Sequence, residues 1–107
     1  TARLKNILMY IQDHYTEKIT LADIAATANI CQSECCRFFK KHMNESLFDY
    51  LLSYRIEKSL PLLTDKQLSI TEVSSRCGFS SASYYTKVFR ERMGCTPTAY
   101  QYGHLES

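Results

Sequence analysis

The sequence predicts an all-α fold built from two copies of one helical unit. Three observations support that expectation. The chain has only 3 Gly and 2 Pro in 107 residues, too few for the turns of an all-β fold. Its apolar residues recur three and four apart, the period of a helix with one buried face. The stretch Ile30 to Leu47, ICQSECCRFFKKHMNESL, returns in outline as Gly78 to Pro97, GFSSASYYTKVFRERMGCTP.

In order, residues 2–15 place Leu4, Ile7, Leu8, Ile11 and Tyr15 on one stripe, predicting an amphipathic helix. Thr20-Leu-Ala-Asp23 has the form of a capping box and opens a short helix with Leu21, Ile24, Ala25 and Ala28. Asn29 suits a left-handed closing residue, and Ile30 re-enters the core. A third helix, about 32–43, has Cys35, Phe38, Phe39 and Met43 on its apolar side. Ser46-Leu-Phe-Asp49 opens a long helix with Phe48, Leu51, Leu52, Arg55, Ile56 and Leu63. About 16 residues at 1.5 Å each span roughly 24 Å. Pro61 lacks a backbone donor and crowds the carbonyl four residues back, so a kink or an early end near Ser59 is expected. Thr64 to Gln67 reads as a polar connection, and Ser69-Ile-Thr-Glu72 as the cap of a fifth helix with Ile70, Val73 and Cys77 inward. Ser80 is the expected N-cap of a sixth helix running to Met93. Gly94 closes it, and Thr96-Pro97 opens a seventh.

The repeat holds residue by residue. Thr20, Leu21, Asp23, Ile24 and Ile30 meet Ser69, Ile70, Glu72, Val73 and Phe79 at an offset of 49. One extra residue in the second turn makes the offset 50 thereafter. Ser33, Arg37, Phe39, Lys40, Met43, Ser46 and Tyr50 then meet Ser83, Lys87, Phe89, Arg90, Met93, Thr96 and Tyr100.

Charge follows the repeat. The chain is net +2, and residues 32–43 and 81–93 are each net +2, so the rest is net −2. A solvated face is the ordinary reading of such clusters. Their return at equivalent positions favours contact with a polyanion. Arg37 and Lys87 lie nearest the helix starts and suit bases, whereas Lys40, Lys41, Arg90 and Arg92 suit phosphates. Five cysteines (Cys31, Cys35, Cys36, Cys77, Cys95) make an odd set, which favours reduced thiols in a cytoplasmic protein over a secreted disulfide scaffold. No apolar run approaches the roughly 20 residues of a membrane helix. The start, TARLKN, has neither a signal-peptide core nor an initiator Met, so a piece of a longer chain is expected.

Each unit is therefore a capped short helix, a tight turn and a helix with an apolar side and a basic side. That is a helix-turn-helix plan. A helix fits the major groove of duplex DNA, and its N-terminal residues reach base edges. Two such units suit two groove segments about 34 Å apart.

The whole chain resembles the C-terminal DNA-binding domain of the AraC family of bacterial transcription regulators. The resemblance lies in Tyr54-Arg55-Ile56-Glu57-Lys58 with Leu62-Leu63, and in Gly78-Phe79-Ser80, Tyr84-Tyr85, Lys87-Val88-Phe89-Arg90, Gly94, Thr96-Pro97 and Tyr100. It implies one domain over 1–107: a first subdomain at about 4–50, a linking helix at about 47–63 and a second subdomain at about 64–102. It implies seven helices, double-stranded DNA and RNA polymerase as partners, an activating role, and an effector or signal-receiving domain outside this chain. Carried over by position, base-facing residues fall at Ser33, Cys36 and Arg37, then at Ala82, Ser83, Thr86 and Lys87.

Other chemistry has little support. Cys31 and Cys35 share a helix face, which allows a two-thiol site, but a closed zinc site takes four ligands and His42 lies on a later turn. Cys35 aligns with Tyr85, which favours burial. His14, His42 and His104 are isolated, and no catalytic triad, carboxylate pair or phosphate loop stands out. No cofactor, metal or enzymatic activity is expected. The alternative function is a helical protein-interaction or thiol-sensing domain without DNA binding.

Overall fold

The structure, a computed structural model, describes residues 2–106, with side chains described for 2–103. The side chain of His104 lies outside the described residues. Among the described residues seven helices form: α1 (Ala2–His14), α2 (Leu21–Ala28), α3 (Gln32–Met43), α4 (Leu47–Leu63), α5 (Ile70–Arg76), α6 (Ala82–Met93) and α7 (Pro97–Glu106). No strand occurs among the described residues. The chain forms two compact units, Thr1–Leu52 and Ser53–Ser107, and the boundary falls within α4.

The first unit closes over Ile7, Ile11, Ile24, Cys35 and Phe39, each fully buried. The three- and four-residue spacing of α1 delivers Ile7 and Ile11 to that core. The Phe39 ring meets Tyr50 edge-on at 5.5 Å and 66°. In the second unit Leu63, Val73, Tyr85 and Phe89 are fully buried. There Phe89 meets Tyr100 at 5.7 Å and 72°, so the repeat extends to ring geometry.

The turns repeat as well. After α2, Ile30 N donates to Ala25 O and Asn29 N to Ala26 O, both at 3.2 Å. After α5, Phe79 N donates to Ser74 O at 3.0 Å and Gly78 N to Ser75 O at 3.2 Å. Both are Schellman closures, which satisfy carbonyls that a helix end leaves free. Each requires a left-handed residue, Asn29 at φ 59° and Gly78 at φ 89°.

Side-chain caps set the helix starts. Thr20 and Asp23 form the full reciprocal capping box. Ser46, Ser69 and Thr96 each accept from the amide three residues on, at 3.1, 3.0 and 3.1 Å. Ser80 is not the cap of α6. Ser81 is: its backbone is extended and its Oγ accepts from Tyr84 N at 3.1 Å. Ser80 is the extra residue of the second turn, and it displaces the cap by one position.

At the equivalent place in the first unit stands Cys31, which makes no capping hydrogen bond although its backbone is extended. Cys31→Ser supplies the missing acceptor. The variant should gain about 0.5–1 kcal/mol of stability, read as a raised urea midpoint at unchanged slope. No gain would mean the α3 start is already satisfied by water.

Pro61 does not break α4, which runs on to Leu63. The carbonyl four residues back belongs to exposed Glu57, where water can replace the missing donor. Beyond the proline, Leu63 is fully buried and its carbonyl accepts from Gln101 Nε2 at 2.9 Å. Packing and that bond hold the last turn against the proline.

Candidate nucleic-acid interface

The inward side of α3 is Cys35 and Phe39; the inward side of α6 is Tyr85, Val88 and Phe89. A helix that buries one stripe presents the opposite one. On α3 that stripe carries Ser33, Cys36, Arg37, Lys40 and Lys41, all exposed. On α6, Ser83, Lys87, Arg90 and Arg92 are exposed, while Ala82 and Thr86 are half-buried. Each set follows one solvent-facing side of its own helix except for Arg92, which falls at the azimuth of Tyr85 and Phe89 near the end of α6.

Ser33 lies in the first turn of α3, and Ala82 and Ser83 in the first turn of α6. There the free amides and the helix dipole favour negative charge. Arg37, Lys40, Lys41, Lys87 and Arg90 form no ion pair with another described residue. They keep their charge available for an outside anion. Arg92 is tethered, donating to Ser53 Oγ in α4. Arg55 is 9% exposed, and burial pushes its guanidinium pKa down from the ordinary value; this cation belongs to the interior of the second unit. Tyr84 is 41% exposed beside the α6 cap, its ring 6.1 Å from Phe79.

The cysteines divide by burial. Cys31 and Cys36 are exposed, whereas Cys35 and Cys77 are buried. The shared face of Cys31 and Cys35 therefore does not present two accessible thiols. Among the described residues no group of three or more His, Cys, Asp or Glu is placed to hold a metal ion. Burial raises the Cys35 pKa and pushes that of Cys77 up to about 11. The Ser33 hydroxyl, 3.5 Å from Cys31 Sγ, holds that thiol below its usual value.

Thiolate is the reactive form. Native protein at pH 8 should therefore label first at Cys31, with Cys35 and Cys77 protected until unfolding, as mass spectrometry of alkylated peptides would read. Early labelling of Cys35 would contradict its place in the core. Neutral Cys77 also gives a sign. A thiol whose folded pKa is raised contributes stability that is intact below its unfolded value and fades as pH climbs toward about 11.

Sequence reading misses Phe48. It places this side chain on the apolar stripe of the long helix, yet Phe48 is 44% exposed. The repeat carries the signal that would have found it: Thr98, at the offset of 50, is polar.

A helix-turn-helix domain model matches residues 24–102. The chain belongs to the AraC-type helix-turn-helix family. That family is one of DNA-binding domains of transcription regulators, not of enzymes. An uncharacterized HTH-type transcriptional regulator of Bacillus subtilis, YdeC, is 46% identical over 99 residues, covering 92% of this chain and 34% of YdeC. The probable transcriptional regulator LumQ of Photobacterium leiognathi is 33% identical over 102 residues, covering 94% of this chain and 41% of LumQ. The chain spans roughly a third to two fifths of the length of such curated relatives. Among solved structures, the DNA-binding domain of AdpA, a global transcriptional factor in complex with a target DNA, superposes with a TM-score of 0.90. It is 25% identical, with 97% of this chain and 94% of that one covered. The C-terminal domain of the two-component response regulator yesN from Fusobacterium nucleatum gives 0.88 at 26% identity, covering 94% of this chain and 99% of that one. No described helix is long and apolar enough to cross a membrane.

Proposed function

We propose that this domain gives a bacterial transcription activator its sequence-specific hold on double-stranded DNA. Two recognition helices, α3 and α6, enter successive major-groove segments. Ser33, Cys36 and Arg37 face bases from α3, as do Ala82, Ser83, Thr86 and Lys87 from α6. Lys40, Lys41, Arg90 and Arg92 hold phosphates. The domain then comprises a first subdomain at about 4–50, a linking helix at about 47–63 and a second subdomain at about 64–102. Its cellular place is the cytoplasm, RNA polymerase is a further partner, and an effector or signal-receiving domain lies outside this chain.

The observation that supports this reading best is the pairing of free cations with first-turn polar residues on the exposed side of both helices. Likeness to a domain captured on its target DNA points the same way. The activating role draws support from a relative 27% identical over 100 residues, the HTH-type transcriptional activator RhaR of Mannheimia succiniciproducens.

Selection from a random duplex library tests the proposal, followed by affinity measurements across salt. A two-segment preferred sequence is expected. Log affinity should fall with log salt by about 0.9 per phosphate neutralised. A flat salt response would sink DNA binding, and a short single-segment site would remove the two-helix part.

A further inference from the structure

We propose that a groove between α3 and the start of α4 seats the sugar-phosphate backbone of the duplex, with Phe48 against a deoxyribose and Lys40 and Lys41 on the flanking phosphates. This rests on the DNA-binding reading and adds to it a contact that reads no base. The groove measures about 510 Å³ and is lined by Cys36, Arg37, Lys40, Lys41, Leu47 and Phe48 among others. No acidic residue lines it. Phe48 is 44% exposed there while Leu47 beside it is buried. The surface therefore combines an exposed apolar ring with three cations. A nucleic-acid strand has the complementary pattern, an apolar sugar face between anionic phosphates.

One further observation favours DNA over another anion, and a second favours any anion at this place. Cys36 and Arg37 belong both to the groove and to the exposed side of α3, so a duplex read by α3 crosses the groove mouth. The groove also includes Ser46, which caps the 17-residue helix α4, so the positive end of that dipole adds to the lysines.

The repeat marks this groove as particular to the first unit. Most positions that matter recur: Arg37 and Lys40 meet Lys87 and Arg90. Among the lining positions that differ, two change a charge or remove a ring. Lys41 meets Glu91, and Phe48 meets Thr98. The second unit has thus lost both the third cation and the aromatic at the equivalent place. The first unit should supply the larger share of sequence-independent affinity.

Salt separates the two kinds of contact, because a ring on a sugar displaces no counterion and a lysine on a phosphate does. The experiment measures affinity for the selected duplex and for an unrelated duplex at several salt concentrations. Phe48→Ala should weaken both by a similar factor, about tenfold, at unchanged salt slope. Phe48→Leu should restore most of the loss, since any apolar side chain of that reach covers the sugar. Lys41→Gln should instead lower the slope by about 0.9. Circular dichroism checks that each variant is folded, which exposed positions should allow. Wild-type affinity in Phe48→Ala, with duplex binding otherwise intact, would overturn this inference alone and leave the groove for another class of partner, such as an acidic peptide. Loss on the selected duplex only would overturn it too, by making Phe48 a base contact. Failure of the wild type to bind any duplex would overturn the parent reading and this one with it.

Discussion

Phe39→Ala should cost about 3–5 kcal/mol, a large part of what holds a domain of this size together. The ring is fully buried among Ile7, Ile11, Ile24, Cys35 and Leu47, and it meets Tyr50 edge-on. Truncation removes that burial and leaves a cavity whose walls belong to several helices, so collapse around it is incomplete. Phe38 supplies the control. It is only half-buried and lies against His42, ring centroids 4.2 Å apart and tilted by 38°, so Phe38→Ala should cost much less. Phe89→Ala, at the repeat-equivalent place against Tyr100, should match Phe39→Ala. Urea unfolding followed by circular dichroism measures all three. Equal small losses at Phe38 and Phe39 would mean the first unit lacks the packed core described for it.

The repeat makes such pairs legible before any coordinates. Apolar spacing places Ile7, Ile11, Ile24 and Phe39 inside, because burying one helix stripe is the only way a short helix gains stability from its neighbours. Caps are legible because an N-cap hydroxyl accepts from a free amide of the first turn, in these helices the one three residues on. Where two hydroxyls are adjacent, as at Ser80 and Ser81, the pattern alone does not choose; the extended backbone of Ser81 does. Pro61 is misread because propensity weighs only the lost bond. Buried Leu63 and the Gln101 bond to its carbonyl come from residues far away in sequence. Phe48 is misread because apolar identity alone does not decide which first-turn side chain is covered: Leu47, one position earlier, is buried while Phe48 is 44% exposed. The basic character of α3 and α6 is legible from charge alone, but the freedom of Arg37, Lys40, Lys41, Lys87 and Arg90 from ion pairs with described residues is not, since Glu34 and Glu91 sit within reach in sequence. In the structure Glu34 lies 3.8 Å from Arg3 instead, leaving Arg37 to solvent.

Arg37→Ala should weaken binding to the preferred duplex by about 1–3 kcal/mol and relax the preference at one base pair. Arg37 is exposed, unpaired and on the same side of α3 as Ser33 in the first turn. Its repeat-mate is Lys87, so each unit keeps a cation here, but not the same one. The difference has chemical content. A guanidinium is a planar fork that can meet O6 and N7 of guanine together, whereas an ammonium is a hydrated point charge. The hypothesis is that the first unit reads a guanine through Arg37, while Lys87 discriminates less or holds a phosphate. Arg37→Lys separates charge from shape. It should keep most of the affinity for unrelated duplexes and still lose the preference at that base pair. The measurement is a set of binding curves for the wild type and both variants, each against all four base pairs at the mapped position and at one stated salt concentration. If Arg37→Ala weakens every duplex equally, the side chain holds a phosphate, and the base preference of the first unit must come from Ser33 or Cys36.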